Sequence, residues 1–168
     1  MPNHIDNRVT ITHKKPAMAM ILMNLLDKDD PFNQIIPMSK LIIRDNWGNA
    51  EAEKYGDQNG WYSWCIQNWG TKWDAYSSRF EEGTPFIDGD GDEVTVIEWN
   101  FETAWNPPIQ IFRELVARGF NVHARYLDEG WNYIGEFKNG MVFDSAVDQY
   151  APSHLLDEFE VDFEETEA

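Results

Sequence analysis

From His4 to Thr12 the chain alternates, with Ile5, Asn7, Val9 and Ile11 set against Asp6, Arg8, Thr10 and Thr12. A period of two predicts a strand buried on its Ile5/Val9/Ile11 face. The period then changes. Pro16 suits the first turn of a helix, where its missing N–H costs nothing. Met18, Ile21, Leu22 and Leu25 follow as one apolar helical stripe, which Asp29-Asp30-Pro31 ends. Between Phe32 and Gly60 the pattern lapses. Ile35-Ile36-Pro37-Met38 is apolar but broken by proline, the stretch from Glu51 to Tyr55 has the composition to begin a helix, and Gly56, Asn59 and Gly60 punctuate. Irregular stretches this long are uncommon unless they have a function.

From Trp61 the pattern returns. Trp61, Trp64, Cys65 and Asn68 have helical spacing, and Gly70 is placed to terminate that helix. Trp73 to Glu82 reads as a strand, and the Gly/Pro/Asp-rich run from Gly83 to Asp92 as a loop. Val94 to Thr103 reads as a strand apolar on both faces, hence a central one. Asn106 then offers an N-cap and Pro107 a first helical residue, with Ile111, Phe112, Leu115 and Val116 as the buried stripe and Gly119 as the stop. Phe120, Val122, Ala124 and Tyr126 alternate as a strand. Trp131 to Phe137, Asn139-Gly140 and Met141-Val142-Phe143 complete a meander, Asn-Gly being the strongest short hairpin signal.

This order predicts an α+β fold. Without the insertion and the last hairpin it is βαββαβ, a ferredoxin-like antiparallel sheet with helices on one face. The expected organisation is one domain over residues 1–150, with a Trp-rich insertion at about 32–70 before the second strand and an extra C-terminal hairpin. An acidic tail, 151–168, follows. In the tail Leu155, Leu156, Phe159 and Phe163 share one side of a helical wheel and Ser153 offers a cap. It therefore reads either as an amphipathic helix packed on the domain or as a segment that folds on a partner.

Charge narrows the function classes. Thirteen Lys+Arg stand against 30 Asp+Glu, a net charge of −17. Such a chain repels phosphates and anionic membranes, and Lys14-Lys15 is its only adjacent basic pair. Direct nucleic-acid binding is therefore disfavoured. The acidic surface itself serves solubility, or else imitates DNA or engages a basic partner. One Cys excludes an internal disulfide and a Cys-rich zinc site. No run approaches the ~20 apolar residues of a membrane helix, and Met1-Pro2-Asn3-His4 lacks the order of a signal peptide. A cytoplasmic, non-membrane protein is expected.

The candidate chemistry is aromatic. Four of eight tryptophans fall between Trp61 and Trp73, and Trp99, Trp105 and Trp131 lie on or beside predicted strands. Tryptophan carries a large apolar surface and an N–H that needs a partner. Such a group is either core or a surface for stacking and protein contact. Lys72 and Asp74, two apart, read as an ion pair at a sheet edge or beside an aromatic pocket. Binding candidates are thus Trp69, Lys72, Trp73, Asp74 and Trp105. Asp88-Gly89-Asp90-Gly91-Asp92-Glu93 fails as an EF-hand, since its sixth and twelfth positions are Glu93 and Trp99. His4, His13, His123 and His154 have no metal spacing, Cys65 reads as a structural thiol, and no nucleophile elbow, P-loop or dinucleotide fingerprint occurs. No catalytic residue, metal or cofactor is assigned.

Certain strings resemble a known family. Asn7-Arg8-Val9-Thr10-Ile11, Ile36-Pro37-Met38, Asn68-Trp69-Gly70-Thr71-Lys72-Trp73-Asp74-Ala75 and Phe101-Glu102-Thr103-Ala104-Trp105-Asn106-Pro107-Pro108 resemble the YubB-like proteins of phages and plasmids. The resemblance spans about residues 1–145. It implies a ferredoxin-like domain, a mobile-genome origin and action in a bacterial cytoplasm, but no established reaction. Three expectations follow. The first is a non-catalytic binding protein that engages a host or phage protein through tryptophans, acidic surface or both. The second is a nucleotide or small-molecule site, sponge or enzyme, around Trp69, Lys72, Trp73 and Trp105. The third is an acidic DNA mimic that occupies a nucleic-acid-binding host defence protein.

Overall fold

The computed structural model describes residues 3–39 and 60–163. Seven strands run as β1 (His4–His13), β2 (Tyr76–Glu82), β3 (Phe86–Ile87), β4 (Glu93–Ala104), β5 (Asn121–Asp128), β6 (Ile134–Lys138) and β7 (Met141–Ser145). The helices are α1 (Pro16–Leu26), α2 (Pro31–Ile35), α3 (Trp61–Asn68), α4 (Ile109–Ala117) and α5 (Ser153–Glu158). All strand pairings are antiparallel.

The expected ferredoxin-like βαββαβ sheet is corrected. The sheet has seven strands in the order β2-β4-β1-β5-β6-β7, with β3 also on β4. Three causes enlarge it. Phe86-Ile87, within the expected loop, pairs again with Val94 and Glu93. The C-terminal hairpin extends the sheet, because β6 pairs with β5 from His123 to Leu127. Helices also cover both faces, not one. On the first face Phe80, Trp99, Val9, Ala124 and Phe137 stand in register across β2, β4, β1, β5 and β6. There they pack with Leu22, Phe32, Trp69, Phe112 and Leu115 from the helices and the segment after α3. Burying each large apolar side chain contributes about 1.5–3 kcal/mol. On the second face Leu155 of α5 packs with Ile134 and Ala151.

Local differences have local causes. Helix α1 buries Ala19, Leu22 and Leu26, while Ile21 is 55% exposed. Its Met-Ala-Met-Ile-Leu-Met run is apolar all round, so packing, not pattern, selects the inner face. Helix α4 begins at Ile109 with Pro108 at its N-cap and no side-chain cap bond, not at Asn106-Pro107. A residue before proline is disfavoured in helical geometry, so Pro108 keeps Pro107 outside. Strand β2 begins at Tyr76, not Trp73, and β5 at Asn121, not Phe120. Ser153 is the first residue of α5 and forms no cap bond. The expected helix start from Glu51 to Tyr55 lies outside the described residues.

Candidate functional site

The two tryptophan-bearing strings quoted above meet in space. Gly70 ends α3 with φ +83, and its N–H bonds the carbonyls of Cys65 and Ile66 at 3.1 Å. A Cβ there would lie 3.2 Å from the Ile109 backbone nitrogen. Glycine therefore satisfies both the left-handed turn and the close approach to α4. Thr71, fully buried, donates its hydroxyl to the Ala104 carbonyl at 2.8 Å. Residues 70–73 are thereby fastened to residues 104–109.

Trp105 follows the end of β4 with φ +68. Left-handed backbone is uncommon for a bulky residue and persists only where the surroundings impose it. Here they do. The Trp105 N–H donates to the Asn3 carbonyl at 2.9 Å, and the Trp105 carbonyl accepts from the Tyr133 hydroxyl at 2.8 Å. Beneath it, buried Asn7 donates to Thr103 Oγ1 at 3.0 Å, which donates to the Asn106 carbonyl at 2.7 Å. Trp105 is 43% exposed as a residue and Trp73 38%. Between them lies Lys72, its Nζ 4.7 Å from the Trp73 ring, 5.1 Å from Trp105 and 6.0 Å from Tyr62. Each such contact is worth about 0.5–1 kcal/mol at an exposed site.

The five sequence candidates thus separate. Lys72, Trp73 and Trp105 come together. Trp69 is 3% exposed and packs edge-on to Phe32 and Trp64, with its N–H on the Ile36 carbonyl at 3.0 Å. Asp74 turns inward, accepting from the Phe32 and Asn33 N–H groups at 2.9 and 3.0 Å, two donors at the start of α2. Burial pushes its carboxyl up to about 6, against the lowering effect of these bonds. Tyr62, Tyr133 and Asn3 complete the cluster. Nothing in their spacing links them to Trp105, although Tyr62 lies within the tryptophan-dense run.

Two other charged groups stand outside this cluster, the first on the aspartate-rich run of the sequence. Asp88, Asp90 and Asp92 bring carboxylate oxygens within 4.8 Å of one another. Lys14 is seated among them, its Nζ 3.3, 3.1 and 3.1 Å from the three carboxylates. The backbone N–H of Asp92 and this ammonium hold the Asp88 carboxyl below its ordinary range. On the second sheet face, His123 and His154 both reach Glu136, at 2.9 and 3.1 Å. Beside them Glu158 lies 3.7 Å from both Arg8 and Arg125, and the Arg8 guanidinium stacks on Phe159 at 4.6 Å.

No protein-family model, curated protein or solved structure matches the chain. Among the described residues no helix is long and apolar enough to cross a membrane.

Proposed function

We propose that this chain is a binding protein without catalytic activity that engages another protein through the Lys72/Trp73/Trp105 patch. The observation that carries the reading is the fixing of two half-exposed indoles around a cation on a backbone braced from Asn3, Thr71 and Tyr133. Rigid, partly exposed tryptophans beside a cation are the chemistry of interface hot spots, where a few residues supply most of the binding free energy. A braced patch also loses little freedom on association. The small-molecule alternative has less support, because the Lys72 ammonium already occupies the space between the rings. The DNA-mimic alternative has less support because several carboxylates are held by the chain's own cations, as at Lys14, Arg8 and Arg125. A phage or plasmid origin, with the partner a host or phage protein in a bacterial cytoplasm, rests on the family resemblance of the four sequence strings.

The test is affinity capture from bacterial cells with the full chain and with the Trp73→Ala/Trp105→Ala double variant. Both rings are surface-borne, so the variant keeps its cooperative thermal transition. A protein retained by the parent and depleted at least roughly tenfold by the variant is the expected result. Equal recovery by both chains would overturn the reading.

A further inference from the structure

We infer that the outer edge of β2 is a docking site for an extended segment of a protein partner, alternating apolar and basic residues, which adds there as a further strand. This surface is separate from the tryptophan patch. β2 is the terminal strand of the sheet. The Gly83 N–H turns inward to the Val96 carbonyl at 2.9 Å. Backbone alternation then turns the N–H and C=O groups of Glu82 and Phe80 outward, away from β4. Alongside them a groove of about 660 Å³ runs between the end of α1 at Leu26–Asp29 and β2. The register of β2 shifts between Tyr76 and Arg79, and Ser77 there has φ +51. An exposed strand edge flanked by a helix offers main-chain hydrogen bonds for affinity and alternating side-chain positions for specificity.

Charge selects the occupant. On the second sheet face Glu81 stands directly opposite Glu98, a like-charge cross-strand pair that is destabilising by itself. Arg79 shares this face of β2 two residues from Glu81, yet among the described residues no lysine or arginine comes within ion-pair distance of Glu81, Glu82 or Glu98, so the edge keeps a surplus of carboxylates. A cation on an added strand beside Glu81 relieves that repulsion. One residue along, the added strand stands beside Phe80 on the first sheet face, where an apolar side chain extends the Phe80–Trp99–Val9 row. A second copy of this chain, which carries the same net charge of −17, is disfavoured at the same place. Charge at an edge thus blocks self-pairing while admitting a basic strand.

The probe is a short synthetic peptide of alternating valine and lysine, with a valine–glutamate peptide as its counterpart, titrated into the full-length protein and followed by backbone amide NMR. The lysine peptide is expected to shift amides of residues 79–82 and 26–29, and to weaken as salt rises. Glu82→Pro removes an outward N–H that β4 does not use, so the sheet stays intact while peptide affinity falls at least roughly tenfold. Glu81→Lys, which keeps every backbone donor, weakens the lysine peptide and favours the glutamate one. The Trp73→Ala/Trp105→Ala variant binds the peptide as the parent does, which keeps this test apart from that of the aromatic patch. Absence of edge shifts with the lysine peptide, equal binding of both peptides, or undiminished binding by Glu82→Pro and Glu81→Lys together would overturn the inference.

Discussion

Asp74 shows at the residue scale how a sequence candidate for binding becomes a brace. Its carboxylate accepts from Phe32, Asn33 and Ala75 N–H groups, yet burial dominates and lifts its titration to about 6 from an ordinary 3.8. The folded chain therefore holds this proton more tightly than the unfolded one. Stability from this group grows as pH falls from about 6 toward 4 and shrinks as pH rises through that window. A two-unit rise corresponds to on the order of 3 kcal/mol. A carbon-detected NMR titration of Asp74 should give a midpoint near 6. Asp74→Ala strands buried donors and should cost about 1–3 kcal/mol by urea unfolding at pH 7. The deficit should widen at lower pH, where the parent gains and the variant does not. The sequence places Lys72, Trp73 and Asp74 side by side but is silent on which turns inward. That depends on α2, whose N–H groups arrive from forty residues upstream.

At the scale of elements, legibility followed how many constraints coincide. β1 and β4 were readable because strict alternation and apolar bulk agree, and the Asn139-Gly140 turn because both residues take positive φ, +48 and +106. The face of α1 was not readable, because its sequence is apolar on every side. β3 was not readable either, because two exposed residues pair only where β4 overruns β2. Gly135 illustrates a constraint hidden from pattern altogether. Tyr126, Gly135 and Asp144 stand in one row across β5, β6 and β7. The Tyr126 hydroxyl donates to Asp144 Oδ1 at 2.5 Å. A Cβ on Gly135 would lie 2.5 Å from Tyr126 Cε2 and 2.4 Å from Asp144 Oδ1. Gly135→Ala should thus lower stability by about 1–3 kcal/mol, as overpacking does. In differential scanning calorimetry this appears as a lower Tm, whereas a surface control, Gly89→Ala, leaves Tm unchanged because nothing lies within 4 Å of that position.

For the whole molecule, net charge and fold oppose one another. A charge of −17 favours expansion, and the chain answers with cations placed where acidic segments must close. The C-terminal segment is the clearest case. Arg8 and Arg125, directly opposite on β1 and β5, share Glu158, and Arg8 also stacks on Phe159. Like charges opposite one another need such an anion. Arg8→Ala should speed hydrogen exchange of residues 153–161 severalfold, measured by mass spectrometry, and leave the amides of β4 protected. Unchanged exchange in the tail would show that Leu155 and Ile134 alone anchor it. The acidity of the tail was plain in the sequence. A helix packed on the domain was one of its two readings, but the arginines that hold it were not legible, since Arg8 is 150 residues away along the chain.

Position 105 brings two demands into conflict. A chain that needed only the bend would be best served there by glycine, which adopts positive φ without penalty. Keeping an indole instead means tolerating a conformation its own backbone resists, with bonds from Asn3 and Tyr133 holding it. Trp105→Gly would relieve that backbone cost and, on the proposed reading, give up the ring's contact with a partner.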